Sequence, residues 1–187
     1  MSWHTKRIKL GACMVGALTA AVLVVSTTPA AAAGTYSGLA YVYGTGEFDG
    51  DWGNEGILQR TTHASSNATC LWQMILWADG ELDSKSKVDG VFGDGTYNAT
   101  RAWQQRENVN YGAGLTVDGS VGKGTFAWAQ TWLQVVSGGE GAGQTLYLSY
   151  NGLYDYFDAR RLPDGNYEFV DGDGSWRKAG YDYRTCS

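Results

Sequence analysis

The sequence predicts an α+β fold in which three helices are followed by a small antiparallel sheet. Three features of the 187-residue chain support this class. Apolar residues recur at helical spacing between residues 67 and 136, and a turn-and-helix motif occurs twice there. Short alternating segments separated by Asn-Gly and Asp-Gly pairs fill residues 145–187. Helices grouped before strands are typical of α+β proteins rather than of alternating βαβ folds.

Residues 1–33 have the organisation of a secretory signal peptide. A basic head precedes an apolar run, and these are formed by Lys6, Arg7, Lys9 and residues 10–25. Small residues then provide a cleavage site before Gly34. Lipidation at Cys13 is disfavoured, because the apolar run follows that cysteine instead of preceding it. We therefore expect a secreted protein, extracellular or associated with the cell wall.

Removal of the signal peptide leaves an acidic chain. Residues 1–33 hold three of the 14 basic residues and none of the 19 acidic ones, so the remaining 154 residues carry a formal charge of about −8. Such a chain does not attract nucleic acid or anionic lipid by long-range charge. We therefore expect no nucleic-acid partner and no membrane association after cleavage. A length of 154 residues suits one domain, or one small domain plus an addition, and we expect a monomer.

Two cysteines remain after cleavage, Cys70 and Cys186. In a secreted chain, one disulfide is the simplest explanation of such a pair. The alternative is two unpaired thiols. A catalytic cysteine is disfavoured, because the mature chain has a single histidine. We predict the Cys70–Cys186 disulfide, which would stabilise the fold by about 4 to 5 kcal/mol in the chain-entropy model, less any strain.

The first helix is predicted from Asn67 to Gly80, with Ser66 or Asn67 as its cap. A surface helix has one apolar stripe, but this segment is apolar nearly all round. It therefore needs two packing partners. We expect its second face to lie beneath the C-terminal sheet, with Cys70 bonded to Cys186 at that contact.

Two further helices are predicted from a repeated motif. Residues 88–104 align with residues 117–133 at a constant offset of 29, and seven positions coincide: Val, Asp, three Gly, Thr and Trp. Each Asp-Gly pair can form a tight turn, and each Thr can cap the helix that follows. The second helix is predicted from Thr96 to about Glu107, and the third from Thr125 to about Val136. We assign residues 67–136 to one helical domain.

The flanks differ from this helical domain. Residues 34–66 are a loop-rich extension in which 38–44 could form one short strand. Residues 137–144 hold four glycines and read as a flexible linker. Residues 145–187 are an aromatic-rich β segment of three or four strands. Hairpin turns are expected at Asn151-Gly152, Asp164-Gly165 and Asp173-Gly174.

The mature chain does not contain the usual catalytic or metal-binding sets. His63 is its one histidine, whereas zinc sites and Ser-His-Asp triads need a histidine with partners. A glycosidase needs only two carboxylates, and the flanks offer Asp49, Asp51, Glu55, Glu81, Asp83, Asp155, Asp158 and Asp171. Asp beside Gly is favoured in turns, which is our first interpretation of these acids. We expect no metal, no cofactor and no catalytic residue.

Three motifs follow one another through the helical domain. They are Thr-x-x-Trp-Gln-x-x-Leu at 69–76, Val-Asp-Gly-Val-Phe-Gly-x-x-Thr at 88–96, and Val-Asp-Gly-Ser-Val-Gly-x-x-Thr-Phe at 117–126. This arrangement resembles the peptidoglycan-binding domain 1 family, which is also found in small secreted actinobacterial proteins. Trp72 and Trp103 stand where the family usually has Leu and Phe. The resemblance implies a three-helix domain with an internal repeat and bacterial cell-wall peptidoglycan, glycan or stem peptide, as the partner.

The candidate site surrounds the two turns. Their residues first build the turns and cap the helices. If both turns border one groove, their backbone and Asp groups can also contact a glycan or stem peptide, with aromatic rings stacking on sugars. The residues expected to contact the ligand are Asp89, Phe92, Thr96, Tyr97, Tyr111, Asp118, Thr125 and Trp128.

These features predict a secreted, non-catalytic cell-wall binding protein. Two alternatives stay open. One is a small cell-wall hydrolase in which carboxylates of the flanks act while the repeat anchors the protein. The other is a secreted protein-interaction module or inhibitor that uses the aromatic C-terminal segment.

Overall fold

The computed structural model describes residues 34–186; the predicted signal peptide, residues 1–33, lies outside them. The described residues form three α-helices and then a five-stranded antiparallel sheet. The predicted α+β class is confirmed. None of the helices between residues 34 and 186 is long and apolar enough to cross a membrane.

The helices are α1 (Asn67–Ala78), α2 (Asp94–Tyr111) and α3 (Lys123–Gln130). The cap of α1 is the predicted one, because the backbone N–H of Thr69 donates to Ser66 Oγ at 3.0 Å. Every residue of α1 except Trp77 is buried, as its apolar composition predicts.

The threonines of the repeated motif do not cap α2 and α3. Gly93 and Gly122 hold the cap positions, and no side chain caps either helix. Thr96 and Thr125 lie inside the first turns, where their hydroxyls donate to carbonyl oxygens of the preceding Asp-Gly turns. The capping prediction is wrong, because both threonines lie inside the helix and each hydroxyl bonds to a carbonyl oxygen of the turn instead of to an amide at the helix start.

The sheet has the order β1-β2-β3-β4-β5 with every neighbour antiparallel. Its strands are β1 (Leu133–Gly138), β2 (Leu146–Asn151), β3 (Tyr156–Arg161), β4 (Tyr167–Val170) and β5 (Trp176–Lys178). Four of them occupy the predicted β segment.

The predicted third helix is too long at its C-terminal end. It stops at Gln130, and residues 133–138 form β1 instead. Val135 and Val136 are β-branched and favour a strand once β2 is available for pairing. The glycine-rich segment 137–144 consequently joins β1 to β2 as a hairpin connection, so the sheet begins before this segment and not after it.

The predicted disulfide joins Cys70 in α1 to Cys186, with the two Cα atoms 6.5 Å apart. α1 also contacts β3 and β5. Beyond its end, buried Asp79 accepts hydrogen bonds from the Tyr150 hydroxyl of β2 and from Trp103 Nε1 of α2, both at 2.7 Å. The expected packing of α1 between the other helices and the sheet is therefore present.

The N-terminal extension packs against both layers. Segment 38–44 meets the sheet only through isolated bridges, Tyr41 with Gly180 and Tyr43 with Asn166, so it is not a full strand. Trp52 is fully buried, and its backbone N–H donates to Gln130 Oε1 at 2.7 Å. This extension therefore contributes to the core and to the walls of the clefts described below.

Candidate functional site

The first Asp-Gly turn is organised by a buried glutamine of α1. The backbone N–H of Gly90 donates to Gln73 Oε1 at 2.7 Å. The amide nitrogen of this glutamine lies 2.9 Å from Asp89 Oδ1, 2.9 Å from Thr96 Oγ1 and 3.1 Å from the Val91 carbonyl oxygen. Asp89 Oδ1 also accepts from the backbone N–H of Val91 at 2.8 Å. One side chain thus holds the turn and the start of α2 together.

The second Asp-Gly turn has the same arrangement around a buried glutamine of α2. The backbone N–H of Gly119 donates to Gln104 Oε1 at 2.9 Å. The amide nitrogen lies 3.3 Å from Asp118 Oδ1, 3.2 Å from Thr125 Oγ1 and 2.9 Å from the Ser120 carbonyl oxygen. Asp118 Oδ1 accepts from the backbone N–H of Ser120 at 2.8 Å. The two turns therefore match atom for atom in their hydrogen bonding.

A cleft lies beside each turn. The first cleft, of about 280 Å³, is walled by Leu82, Ser86 and Lys87 beside Asp89. The second cleft, of about 250 Å³, is walled by Tyr36, Ile57 and Leu115 beside Asp118. Both aspartates are exposed, and within residues 34–186 neither Oδ2 atom accepts a hydrogen bond. Each cleft therefore offers one carboxylate oxygen to a ligand.

The supports behind the two turns differ. Behind the first turn, a Cβ on Gly90 would lie 2.6 Å from Cys70 Sγ and 2.8 Å from Cys186 Sγ. Arg184 Nη1 also donates to the Asp89 carbonyl oxygen at 2.6 Å. Behind the second turn, a Cβ on Gly119 would meet the Tyr97 ring at 2.5 Å. The disulfide and the C-terminus therefore support only the first turn.

The structure brings four of the predicted site residues into the two turns. Asp89 lies with Thr96, and Asp118 lies with Thr125. Both threonines are buried and bonded to the glutamines, so they hold the turns in shape. Phe92 is buried in the core, which leaves its ring no free surface for a ligand.

The three predicted aromatic contacts do not converge on one groove. Tyr97 is half-buried, with the Arg60 guanidinium 4.0 Å from its ring centroid. Tyr111 packs edge-on against Trp132, with centroids 5.1 Å apart. Trp128 Nε1 donates to Glu107 Oε2 at 2.7 Å. None of the three rings lines either cleft.

Among the residues of the site that were not predicted from the sequence are Gln73, Gln104 and Tyr36. The glutamines have a signal, because each follows a tryptophan in a Trp-Gln pair upstream of its own Asp-Gly turn. Tyr36 has none, since it lies in the extension, more than eighty residues before Asp118.

A third cleft, of about 500 Å³, contains Asp51 and Glu55 and is called the carboxylate cleft. Asp51 Oδ2 accepts from Arg161 Nη1 and from the Tyr167 hydroxyl, both at 2.6 Å. Glu55 Oε2 accepts from the Tyr181 hydroxyl at 2.6 Å. Burial raises the pKa of Glu55 to about 7 and, despite the arginine, raises the pKa of Asp51.

No group of three or more His, Cys, Asp and Glu side chains in the described part of the chain is arranged to hold a metal ion. His63 has a half-buried position in which Nδ1 lies 3.0 Å from the Tyr181 carbonyl oxygen.

Comparison with known proteins found no matching family model, no similar curated protein and no similar solved structure.

Proposed function

We propose that the protein is a secreted, non-catalytic cell-wall binding protein that recognises peptidoglycan through its two Asp-Gly turns. The observation that carries this proposal is the doubled hydrogen-bond network, which presents one unengaged aspartate oxygen beside a cleft at each turn. The resemblance of residues 68–133 to the peptidoglycan-binding domain 1 family supports the same ligand. The partner is the glycan strand or the stem peptide, and the location is the cell wall or the medium.

The chemistry of the turns suits such a polymer. Sugar hydroxyls and peptide amides are donors, and each Asp Oδ2 is an acceptor. The turn that carries each aspartate is held in place by its hydrogen bonds to a buried glutamine. A polymer with repeating units can occupy both clefts at once, and two weak contacts then act with high effective concentration. Because the buried glutamines already fix the turns, ligand binding does not lose conformational entropy in ordering them.

Sedimentation with insoluble peptidoglycan tests the proposal. We expect the mature protein, residues 34–187, to pellet with the wall. Asp89→Asn and Asp118→Asn keep the Oδ1 contacts of each turn but remove the charge at Oδ2, and each should weaken binding about tenfold. Asp158→Asn, at an exposed acid on β3 that lines neither of the two clefts, is the control. Wild-type protein that stays in the supernatant with its disulfide intact would refute the proposal.

A second candidate function is carboxylate-based hydrolysis of the wall. It is favoured by the carboxylate cleft, where Glu55, with a pKa of about 7, can supply a proton beside the second carboxylate, Asp51. However, both acids are hydrogen-bonded to protein groups and Glu55 is only 1% exposed, so we rank this function second. Clearing of a peptidoglycan gel by wild-type protein, lost in Glu55→Gln, would support it; no clearing by the wild type would exclude it.

A further inference from the structure

The second cleft has an aromatic wall that the first cleft does not have. Tyr36 is 51% exposed, and its backbone N–H donates to the Gly56 carbonyl oxygen at 2.9 Å, which holds it against the motif. A Cβ on Gly122 would lie 3.7 Å from the ring. The Lys123 ammonium lies 4.8 Å from the ring centroid. The N-terminal extension thus adds a ring to one of two otherwise matching turns, and the ammonium near that ring comes from α3.

The polar groups of the second cleft also differ from those of the first. Ser120 stands where the first turn has Val91, and within residues 34–186 its hydroxyl has no hydrogen-bond partner. Asp118 Oδ2 is also unengaged in that part of the chain. A ring surface, an acceptor and a hydroxyl therefore line about 250 Å³ of space.

We propose that the second cleft is a saccharide subsite that binds one uncharged pyranose residue of the wall glycan, with the sugar on Tyr36 and its hydroxyls bonded to Asp118 and Ser120. This inference rests on the proposed function and assigns the contact with the glycan to the second turn. A pyranose has an apolar C–H face and a rim of hydroxyls, so it needs an aromatic surface beside a few fixed polar groups. The Asp118 carboxylate in the lining repels an anionic ligand, and an uncharged sugar avoids this repulsion.

The first cleft is the matched comparison inside the same chain. It holds Asp89 in the same geometry but has Val91 in place of the serine, and Lys87 and Leu82 in place of an aromatic wall. We therefore expect it to contribute little to the binding of a free saccharide.

Calorimetric titration with a soluble β-1,4-linked N-acetylglucosamine tetrasaccharide tests the subsite. Tyr36→Ala should weaken binding about tenfold, since it removes the ring face that the bound sugar would cover. Tyr36→Phe keeps the ring and should stay within about twofold. Both substitutions are at an exposed position, and thermal unfolding of each variant checks that the fold is intact. Equal affinity for wild type and Tyr36→Ala would overturn the proposal.

A second pair of variants blocks each cleft in turn. Gly95 and Gly124 occupy equivalent positions in the first turns of α2 and α3, and each lines its own cleft. A Cβ on Gly95 would meet nothing within 4 Å, and one on Gly124 would meet only Leu115, at 3.9 Å. Gly124→Trp should abolish tetrasaccharide binding, whereas Gly95→Trp should leave it unchanged. The reverse result would move the subsite to the first cleft and refute the proposal.

The peptidoglycan sedimentation assay separates this inference from the proposed function. Wild-type protein that pellets with peptidoglycan but does not bind the tetrasaccharide would overturn the saccharide subsite and leave the wall-binding function standing. Wild-type protein that binds the tetrasaccharide through Tyr36 but does not pellet would support the subsite and refute the wall-binding function.

Discussion

The two Asp-Gly turns have one hydrogen-bond network but different surroundings. The first is supported by the Cys70–Cys186 disulfide and by Arg184, and the second by the Tyr97 ring and the N-terminal extension. The shared part is local and specified by the motif, whereas the supports come from segments outside it. A repeated motif can therefore keep the same hydrogen bonds twice while the groups that support its two copies differ.

The largest difference between the turns should come from the disulfide. Cys70→Ser with Cys186→Ser removes a crosslink between residues 116 apart, which should lower the free energy of unfolding by about 4 to 5 kcal/mol. Urea unfolding measures the total. Amide hydrogen exchange should show faster exchange at Gly90 under conditions where Gly119 keeps its protection. Equal loss of protection at both glycines would contradict the view that the disulfide supports one turn.

The pH dependence of stability should report on the extension beside the second turn. The pKa of Glu55 is about 7 in the folded protein and 4.5 as its ordinary value, so folding favours the protonated acid. The contribution of protonated Glu55 to the free energy of unfolding is complete below about pH 4.5. About 3 kcal/mol of it is lost as the pH rises to about 7. Denaturant unfolding at pH 5 and pH 8 should show this fall in the wild type. Glu55→Gln should remove most of it, and an unchanged slope in that variant would rule out Glu55 as its source.

The glutamines test whether the two networks are equivalent. Gln73→Ala and Gln104→Ala each leave a buried glycine N–H without its acceptor and remove one hydrogen bond to a buried threonine, at a cost of about 2 to 3 kcal/mol each. Similar losses in urea unfolding would show that the networks contribute equally. A loss below about 1 kcal/mol for either variant would show that its turn is held by its surroundings alone.

Arg184 should have the smallest effect. Arg184→Ala removes one exposed hydrogen bond to the Asp89 carbonyl oxygen, which should cost about 1 kcal/mol or less. Gly90 should exchange its amide somewhat faster, and Gly119 should not change. Arg101→Ala, an exposed arginine beside Gly119, is the matched control and should show the opposite pattern.

Much of the fold could be predicted from local sequence signals. The predictions that were wrong share one cause, which is contact with residues far away in the chain. The start of α1 and the hairpin turns of the tail were predicted because caps and Asx-type turns need only neighbouring residues. The helix predicted to Val136 is wrong beyond Gln130, because segment 133–138 becomes a strand only through pairing with β2. The cap role of Thr96 is wrong because the buried Gln73 and the turn carbonyl compete for its hydroxyl.

The candidate site divides in the same way. Asp89 and Asp118 were predicted from the motif, since an Asp two residues before an N–H forms its own turn. Tyr36 could not be predicted, because nothing near it in the chain indicates that it would lie against Gly122.

By itself, the sequence determined the two turns, the start of α1 and the disulfide pairing. The turns depend only on short segments, because glycine accepts a positive φ and an Asp side chain bonds to nearby amides. The disulfide could be predicted because each cysteine has one available partner. Only the tertiary structure decided which strand begins the sheet, which glutamine serves which turn and which residues wall each cleft. Those outcomes depend on contacts between residues far apart in the chain. Such contacts form, and stabilise the protein, only when the whole core has packed.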